Sequence, residues 1–314
     1  MELRNLGRSG LRVSAVGLGC NNFGVRLDEA ASRKVIRKAL DEGITLFDTA
    51  DVYGGRGGSE TILGKTLGAR RKDIVLATKF ALAMDDEDVR KGGARRYVMA
   101  AVEASLRRLK TDWIDLYQMH VTDPLTPIEE TLRALDDLVR HGKVRYVGCS
   151  NFSAWQVVEA QWTSRAHGLH AFVSCQDEYS LLVRGPETDL IPAMTTYGLG
   201  LLPYFPLASG LLTGKYRQGK PMPKGARITK EPRYGDGYMT EANWATIEGL
   251  RAVAEGLGLT MAELAIGWLL ARAPVASVIA GATRPDQIVA NVRAGAVTLG
   301  AADLEAIDRA CGRG

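Results

Sequence analysis

The sequence predicts a parallel (β/α)8 TIM barrel on three observations. Eight short apolar runs are spaced along the chain, stretches of helical apolar spacing lie between them, and the 314 residues show no linker, repeat or low-complexity tract. One barrel domain over residues 1–314 follows, since alternating barrels reach this length as a single unit.

Taken in order, the strand-like runs are 14–18 (SAVGL), 44–48 (ITLFD), 74–79 (IVLATK), 114–119 (IDLYQM), 144–149 (VRYVGC), 171–175 (AFVSC), 199–204 (LGLLPY) and 277–280 (SVIA). Helical spacing of apolar residues marks 28–42, 94–109, 127–141, 153–167 and 241–272, and one more helix is expected after residue 300. Gly43 and Gly142 follow two of these stretches, where a left-handed cap is expected. Ahead of the first run, LGRSGLRVS reads as a β-hairpin around Arg8, Ser9 and Gly10 that closes the barrel bottom. Residues 213–240 are rich in Gly, Pro and Lys and too long for a plain connection, as in loops that are either functional or disordered.

Composition narrows the function classes. A net charge of +4 and a pI near 8.8 are mildly basic, and the basic stretches at 70–72 and 95–96 are quickly interrupted, so nucleic-acid binding is not expected. The amino terminus is charged and lacks a long apolar core, and no run approaches the ~20 apolar residues of a membrane span. Cys20, Cys149, Cys175 and Cys311 form no CxxC pair, and Cys149 and Cys175 read as reduced core residues, in keeping with a cytoplasmic protein.

Three familiar signals fail. GLGCNNFG carries Asn22 where a dinucleotide fingerprint needs glycine, and LLTGKY has Ser209 and Tyr216 where a phosphate loop needs Gly and Ser or Thr. His167 and His170 lack a third ligand and read as surface histidines, so no metal site is expected.

Four residues at or just beyond strand ends carry the chemistry: Asp48 and Tyr53 in LFDTADVYG, Lys79 in LATKF, and His120 in DLYQMH. A tyrosine hydroxyl, with a pKa of about 10, donates poorly to a carbonyl oxygen unless its phenolate is stabilised. A buried lysine ammonium does that, and it needs a carboxylate such as Asp48 to stay charged in a dry site. A neutral histidine can direct the substrate oxygen. The set delivers a proton but holds no electrons, which implies a hydride cofactor. A barrel glycosidase would instead need paired carboxylates at strand ends, whereas the fourth and seventh strands end in His120 and Tyr204.

These residues, together with GKVRYVGCSNFS, YFPLASGLLTGKY and GATRPDQ, resemble the aldo-keto reductase family, in its bacterial and potassium-channel-β-subunit-like branch, along nearly the whole chain. The resemblance implies NADPH-dependent reduction of aldehydes and ketones, with Tyr53 as general acid, Lys79 lowering its pKa, Asp48 holding Lys79 and His120 orienting the carbonyl. It also implies cofactor contacts. Ser150, Asn151 and Gln176 would bond the nicotinamide carboxamide, Gln176 from beyond the sixth strand, and Tyr204 would stack on the ring. Leu207, Ser209, Gly210, Leu211 and Lys215 would run along the pyrophosphate and ribose, Gly19, Asn21, Asp48 and Pro206 would be further cofactor contacts, and the 213–240 loop would lie on the cofactor side. Gly281, Thr283, Arg284, Gln287 and Asn291 would hold the adenosine end, where Ala290 stands in place of the glutamate of many relatives. Arg284, with Arg227 as a second charge, favours NADPH over NADH.

Phe23, Val52, Phe80, Val121, Phe152 and Phe205 are expected to wall the substrate pocket, which favours apolar or aromatic carbonyl compounds. A monomer or weak homo-oligomer is expected. The alternative from another class is an NADPH-binding regulatory or sensing subunit with negligible turnover.

Overall fold

Loop 6–11 folds the amino terminus back on itself, and the two arms pair antiparallel as β1 (Leu3–Asn5) and β2 (Arg12–Ser14) in a computed structural model that describes residues 1–87 and 89–313. Gly7 makes the turn possible. Its φ is +59°, and an added Cβ would lie 2.4 Å from the Gly198 carbonyl oxygen. The hairpin drops Leu6 and Val13 into the barrel axis, where they pack with Leu46, Leu116 and Leu202. It closes the barrel bottom as the sequence predicts.

The eight barrel strands are β3 (Val16–Gly19), β4 (Leu46–Asp48), β5 (Val75–Phe80), β6 (Ile114–Met119), β7 (Val144–Ser150), β8 (Ser174–Glu178), β9 (Gly200–Tyr204) and β10 (Val278–Gly281). All neighbours are parallel, in the order β10-β3-β4-β5-β6-β7-β8-β9. Residues 274–276 close the ring: Leu201 N–H donates to Pro274 O at 2.9 Å and Ala276 N–H to Leu201 O at 3.0 Å.

Helices Glu29–Asp41, Gly58–Leu67, Arg95–Leu109, Ile128–Arg140, Ala154–His167, Leu190–Tyr197, Met261–Leu270 and Pro285–Ala294 surround the sheet. Local chemistry sets their ends. Asp28 caps the first by accepting from Ala31 N–H at 2.8 Å, and Gly43 and Gly142 follow two helices at φ +77° and +75°.

Two expectations need correction. The helical stretch 241–272 is two helices, Glu241–Gly256 and Met261–Leu270, at 92° to each other. Gly258 takes a left-handed φ of +67°, and Thr260 starts the second helix in a capping box with Glu263. The run 171–175 enters the sheet later, as Ser174–Glu178, so Gln176 lies inside the strand and not beyond it. No single helix among the described residues is long and apolar enough to cross a membrane.

Candidate active site

The carboxyl ends of the strands open into a cavity of ≈ 800 Å³. Alternation along a strand decides which side chains reach it. Asp48 ends β4 and Lys79 is the penultimate residue of β5; both are buried. Lys79 Nζ donates to Asp48 Oδ2 at 2.6 Å and to the Thr49 carbonyl at 3.0 Å. Asp48 Oδ1 accepts from Gln118 Nε2 at 3.1 Å and Gln176 Nε2 at 2.9 Å. Burial works most strongly against the Lys79 ammonium, but the Asp48 charge, Tyr53 and the hydrogen bond to Asp48 together outweigh it and hold the lysine pKa above its ordinary value. The pair stays ionic.

Tyr53 follows β4 on the loop Thr49–Val52, which leans on β5 through Thr49 N–H to Ala77 O and Asp51 N–H to Lys79 O. Its ring lies 5.2 Å from Lys79 Nζ and meets the His120 ring edge-on at 5.7 Å. Burial raises the Tyr53 pKa, Lys79 pulls it down, and the net position is above the ordinary phenol value, so the hydroxyl keeps its proton. His120, one residue past β6, is buried next to Lys79, and burial with that neighbouring charge depresses its pKa to about 3. The imidazole is neutral at any ordinary pH, and its Nδ1 is buried without a hydrogen-bond partner.

The structure brings Asp48, Tyr53 and His120 to the cavity wall, with Lys79 buried against Asp48. Gly19, Asn21, Ser150, Asn151, Gln176, Tyr204, Pro206, Leu207, Ser209, Gly210 and Lys215 line the same cavity. Arg227, Gly281, Thr283, Arg284, Gln287 and Asn291 continue the wall. Tyr204 is held there by its hydroxyl, which donates to Asn151 Oδ1 at 2.8 Å, while Asn151 Nδ2 donates to the His120 carbonyl at 3.0 Å.

Leu211 is an exception. It is fully buried in the core and forms no part of the wall. The expected substrate wall is also redistributed. Phe205 lines the cavity, but Phe23, Phe80 and Phe152 are buried in the core, Phe80 against Tyr117 at 4.8 Å and Phe152 against Phe172 at 5.8 Å. Val52 and Val121 are half-buried and off the cavity wall.

The far end of the cavity is cationic. Arg26, Lys215, Lys224, Arg227 and Arg284 line it. Burial and the charges of Arg26 and Arg284 push the Lys215 pKa down, as expected of crowded cations. Arg227 stacks on the rings of Tyr234 at 4.1 Å and Phe205 at 5.0 Å, carried there by the short helix Arg227–Lys230 of the 213–240 loop. Gly210, at φ +99°, lets Lys215 lie close: an added Cβ would be 3.2 Å from Nζ. Arg284 donates from Nε and Nη2 to the two oxygens of Asp286, each at 3.1 Å.

Sequence reasoning missed Arg26, Asn22, Lys224 and Gln118. Gln118 was within reach, because it lies on β6 two residues before His120, which directly follows that strand, and so faces the same way. Arg26 and Lys224 sit in loops without periodicity, where no comparable signal exists.

The strand ends thus gather a buried ion pair, a tyrosine and a histidine beside a cavity whose wall carries several cations. The model of the aldo/keto reductase family matches residues 15–311. A probable voltage-gated potassium channel subunit beta of Oryza sativa is 38% identical over 94% of this chain and 91% of its own length. The uncharacterized oxidoreductase YrpG of Bacillus subtilis is 37% identical over 95% and 92%, and an L-glyceraldehyde 3-phosphate reductase of Escherichia coli is 35% identical over 98% and 92%. The chain belongs to the aldo/keto reductase family, whose members use nicotinamide cofactors on small carbonyl compounds.

Proposed function

We propose that the protein is an NADPH-dependent reductase of aldehydes and ketones with Tyr53 as general acid. The observation that carries this reading is the Tyr53 ring set at the cavity wall between the buried Lys79–Asp48 pair and the His120 ring.

The residues at the other end fit a phosphorylated dinucleotide. Ser209 Oγ, Arg227 Nε and Asn22 Oδ1 are buried at the wall without hydrogen-bond partners, and the crowding of Arg26, Lys215 and Arg284 calls for an anion. Ser150, Asn151 and Gln176 would hold the carboxamide, and Tyr204 would stack on the ring. Arg284 and Arg227 would meet the 2′-phosphate. The bound cofactor supplies hydride.

The chain does the rest. Tyr53 gives its proton to the carbonyl oxygen as negative charge develops there, and Lys79 stabilises the phenolate left behind. Asp48 keeps Lys79 charged through that change. His120 orients the oxygen without competing for the proton, since it is already neutral. Phe205 gives the pocket an aromatic wall, which favours apolar or aromatic carbonyl substrates.

NADPH oxidation against a panel of aliphatic and aromatic aldehydes, with NADH in parallel, tests this. Turnover of several aldehydes is expected, and Tyr53→Phe should abolish it while leaving NADPH affinity within about twofold. Comparable turnover in Tyr53→Phe would sink the proton-donor assignment. The names of the rice and Arabidopsis relatives favour a second reading, an NADPH-binding regulatory or sensing subunit. Tight NADPH binding with no turnover across the panel would select it.

A further inference from the structure

Gln118 is fully buried on β6 and has no place in the proton-delivery set described above. Its Nε2 shares Asp48 Oδ1 with Gln176 Nε2, at 3.1 and 2.9 Å, while Lys79 takes Oδ2 at 2.6 Å. An ionised carboxylate only accepts hydrogen bonds, so both glutamines must turn their NH2 groups toward it. For Gln118 this leaves Oε1 buried without a partner, a desolvation cost that a leucine of similar volume would avoid. For Gln176, which lines the cavity, the same constraint turns its carbonyl away from Asp48.

We propose that Gln118 is a positioning residue for the reduction: with Gln176 it clamps Asp48 Oδ1 so that Oδ2 faces Lys79. It also adds the positive end of its amide dipole to the field in which Tyr53 releases its proton. One strand thereby supplies both His120, at the substrate oxygen, and the support beneath the ion pair. The inference rests on the reductase reading.

Two variants separate positioning from packing. Gln118→Leu keeps the volume and removes the donor. Its kcat is expected to fall about 10- to 100-fold, the worth of one hydrogen bond to a charged group, with NADPH affinity by fluorescence within about twofold. The alkaline limb of its kcat/KM profile should move up, because Tyr53 becomes a weaker acid. Gln118→Glu is isosteric but can donate to Asp48 only while protonated. Burial and the neighbouring carboxylate raise its pKa, so activity should hold at low pH and fall through a new titration as pH rises. A purely structural role would produce no such titration. The extra alkaline loss of melting temperature in Gln118→Glu should disappear in an Asp48→Asn background, where the new amide can donate to the glutamate; this coupling needs no turnover.

Wild-type kcat and pH profile in Gln118→Leu would overturn the proposal. So would a Gln118→Glu protein with no new titration and no coupling to Asp48→Asn. A wild-type protein that reduces nothing in the panel would remove the reductase reading and the positioning role with it, and persistence of the melting coupling would identify that as the cause.

Discussion

Asp48→Asn removes the carboxylate charge that faces Lys79 and leaves it only neutral oxygen partners, the amide oxygen and the Thr49 carbonyl, in a site where the lysine is fully buried. Removing one member of a buried ion pair costs about 3–5 kcal/mol, because the other charge stays uncompensated. Unfolding entropy of about 2.1 cal/mol/K per residue across 314 residues converts that into a fall in Tm of roughly 5–8 °C. The pH dependence is the sharper test. In the wild type the Lys79 pKa is raised in the folded state, so its contribution is complete below the unfolded value of about 10.4 and is lost as pH rises through the folded one. In Asp48→Asn, burial without the carboxylate depresses the lysine pKa. The unfolded chain then binds the extra proton, and stability rises with pH up to about 10.4. Thermal melts from pH 7 to 10 should therefore slope upward in the variant relative to the wild type. Adding Lys79→Met should remove that upward slope and recover much of the lost Tm. A variant that melts within about 1 °C of the wild type with a parallel pH slope would refute the buried-pair account.

Three further outcomes follow from the geometry. Arg284→Ala should weaken NADPH by about 10-fold or more and NADH by less than about threefold in fluorescence titrations, since the loss is one charged contact to a phosphate; equal losses would place Arg284 at the adenine. His120, with its pKa near 3, is neutral in the folded protein while the unfolded chain titrates near 6.5. It therefore costs about 3 kcal/mol of stability between pH 8 and pH 4, and His120→Gln should flatten the acid side of the Tm profile. Gly7→Ala, with its Cβ 2.4 Å from the Gly198 carbonyl oxygen at φ +59°, should lower Tm by roughly 3–6 °C, whereas Gly10→Ala, 3.9 Å from the nearest atom, serves as the control. Equal melts would free the hairpin turn from that constraint.

The barrel was legible because several apolar runs stop at or near a change of residue type: ITLFD at a carboxylate, IVLATK at a lysine one residue short of the end of β5, IDLYQM just before a histidine. The pocket wall was less legible, and parity along the strand explains much of the difference. Lys79 points into the barrel, so Phe80, the next residue of β5, points outward into the helix layer and packs on Tyr117. Phe23 and Phe152 sit in loops after β3 and β7, where no such rule applies and burial decides. The helical run 241–272 failed for a different reason. Apolar spacing continues through Gly256 and Leu257, but Gly258 and the Thr260–Glu263 capping box end one helix and start another within four residues.

The two ends of the cavity use the same residue chemistry in opposite ways. Lys79 is sealed from water and held by a carboxylate whose other oxygen takes two amide donors, so charge at that end is balanced before any ligand arrives. At the far end burial, together with the neighbouring charges of Arg26 and Arg284, depresses the Lys215 pKa. Asp286 pairs with Arg284 and Glu231 lies 4.0 Å from Arg26, and an incoming anion would supply the remaining balance there. On the proposed reductase reading, binding energy comes largely from the cationic end, and the carbonyl end is left free to stabilise charge that appears only as the proton moves from Tyr53. On the proposed reading, variants of Arg284 or Lys215 act on cofactor affinity, and variants of Tyr53, Lys79 or Asp48 act on turnover. A variant from either group that moved both together would show the two ends to be coupled through the loop that carries Arg227.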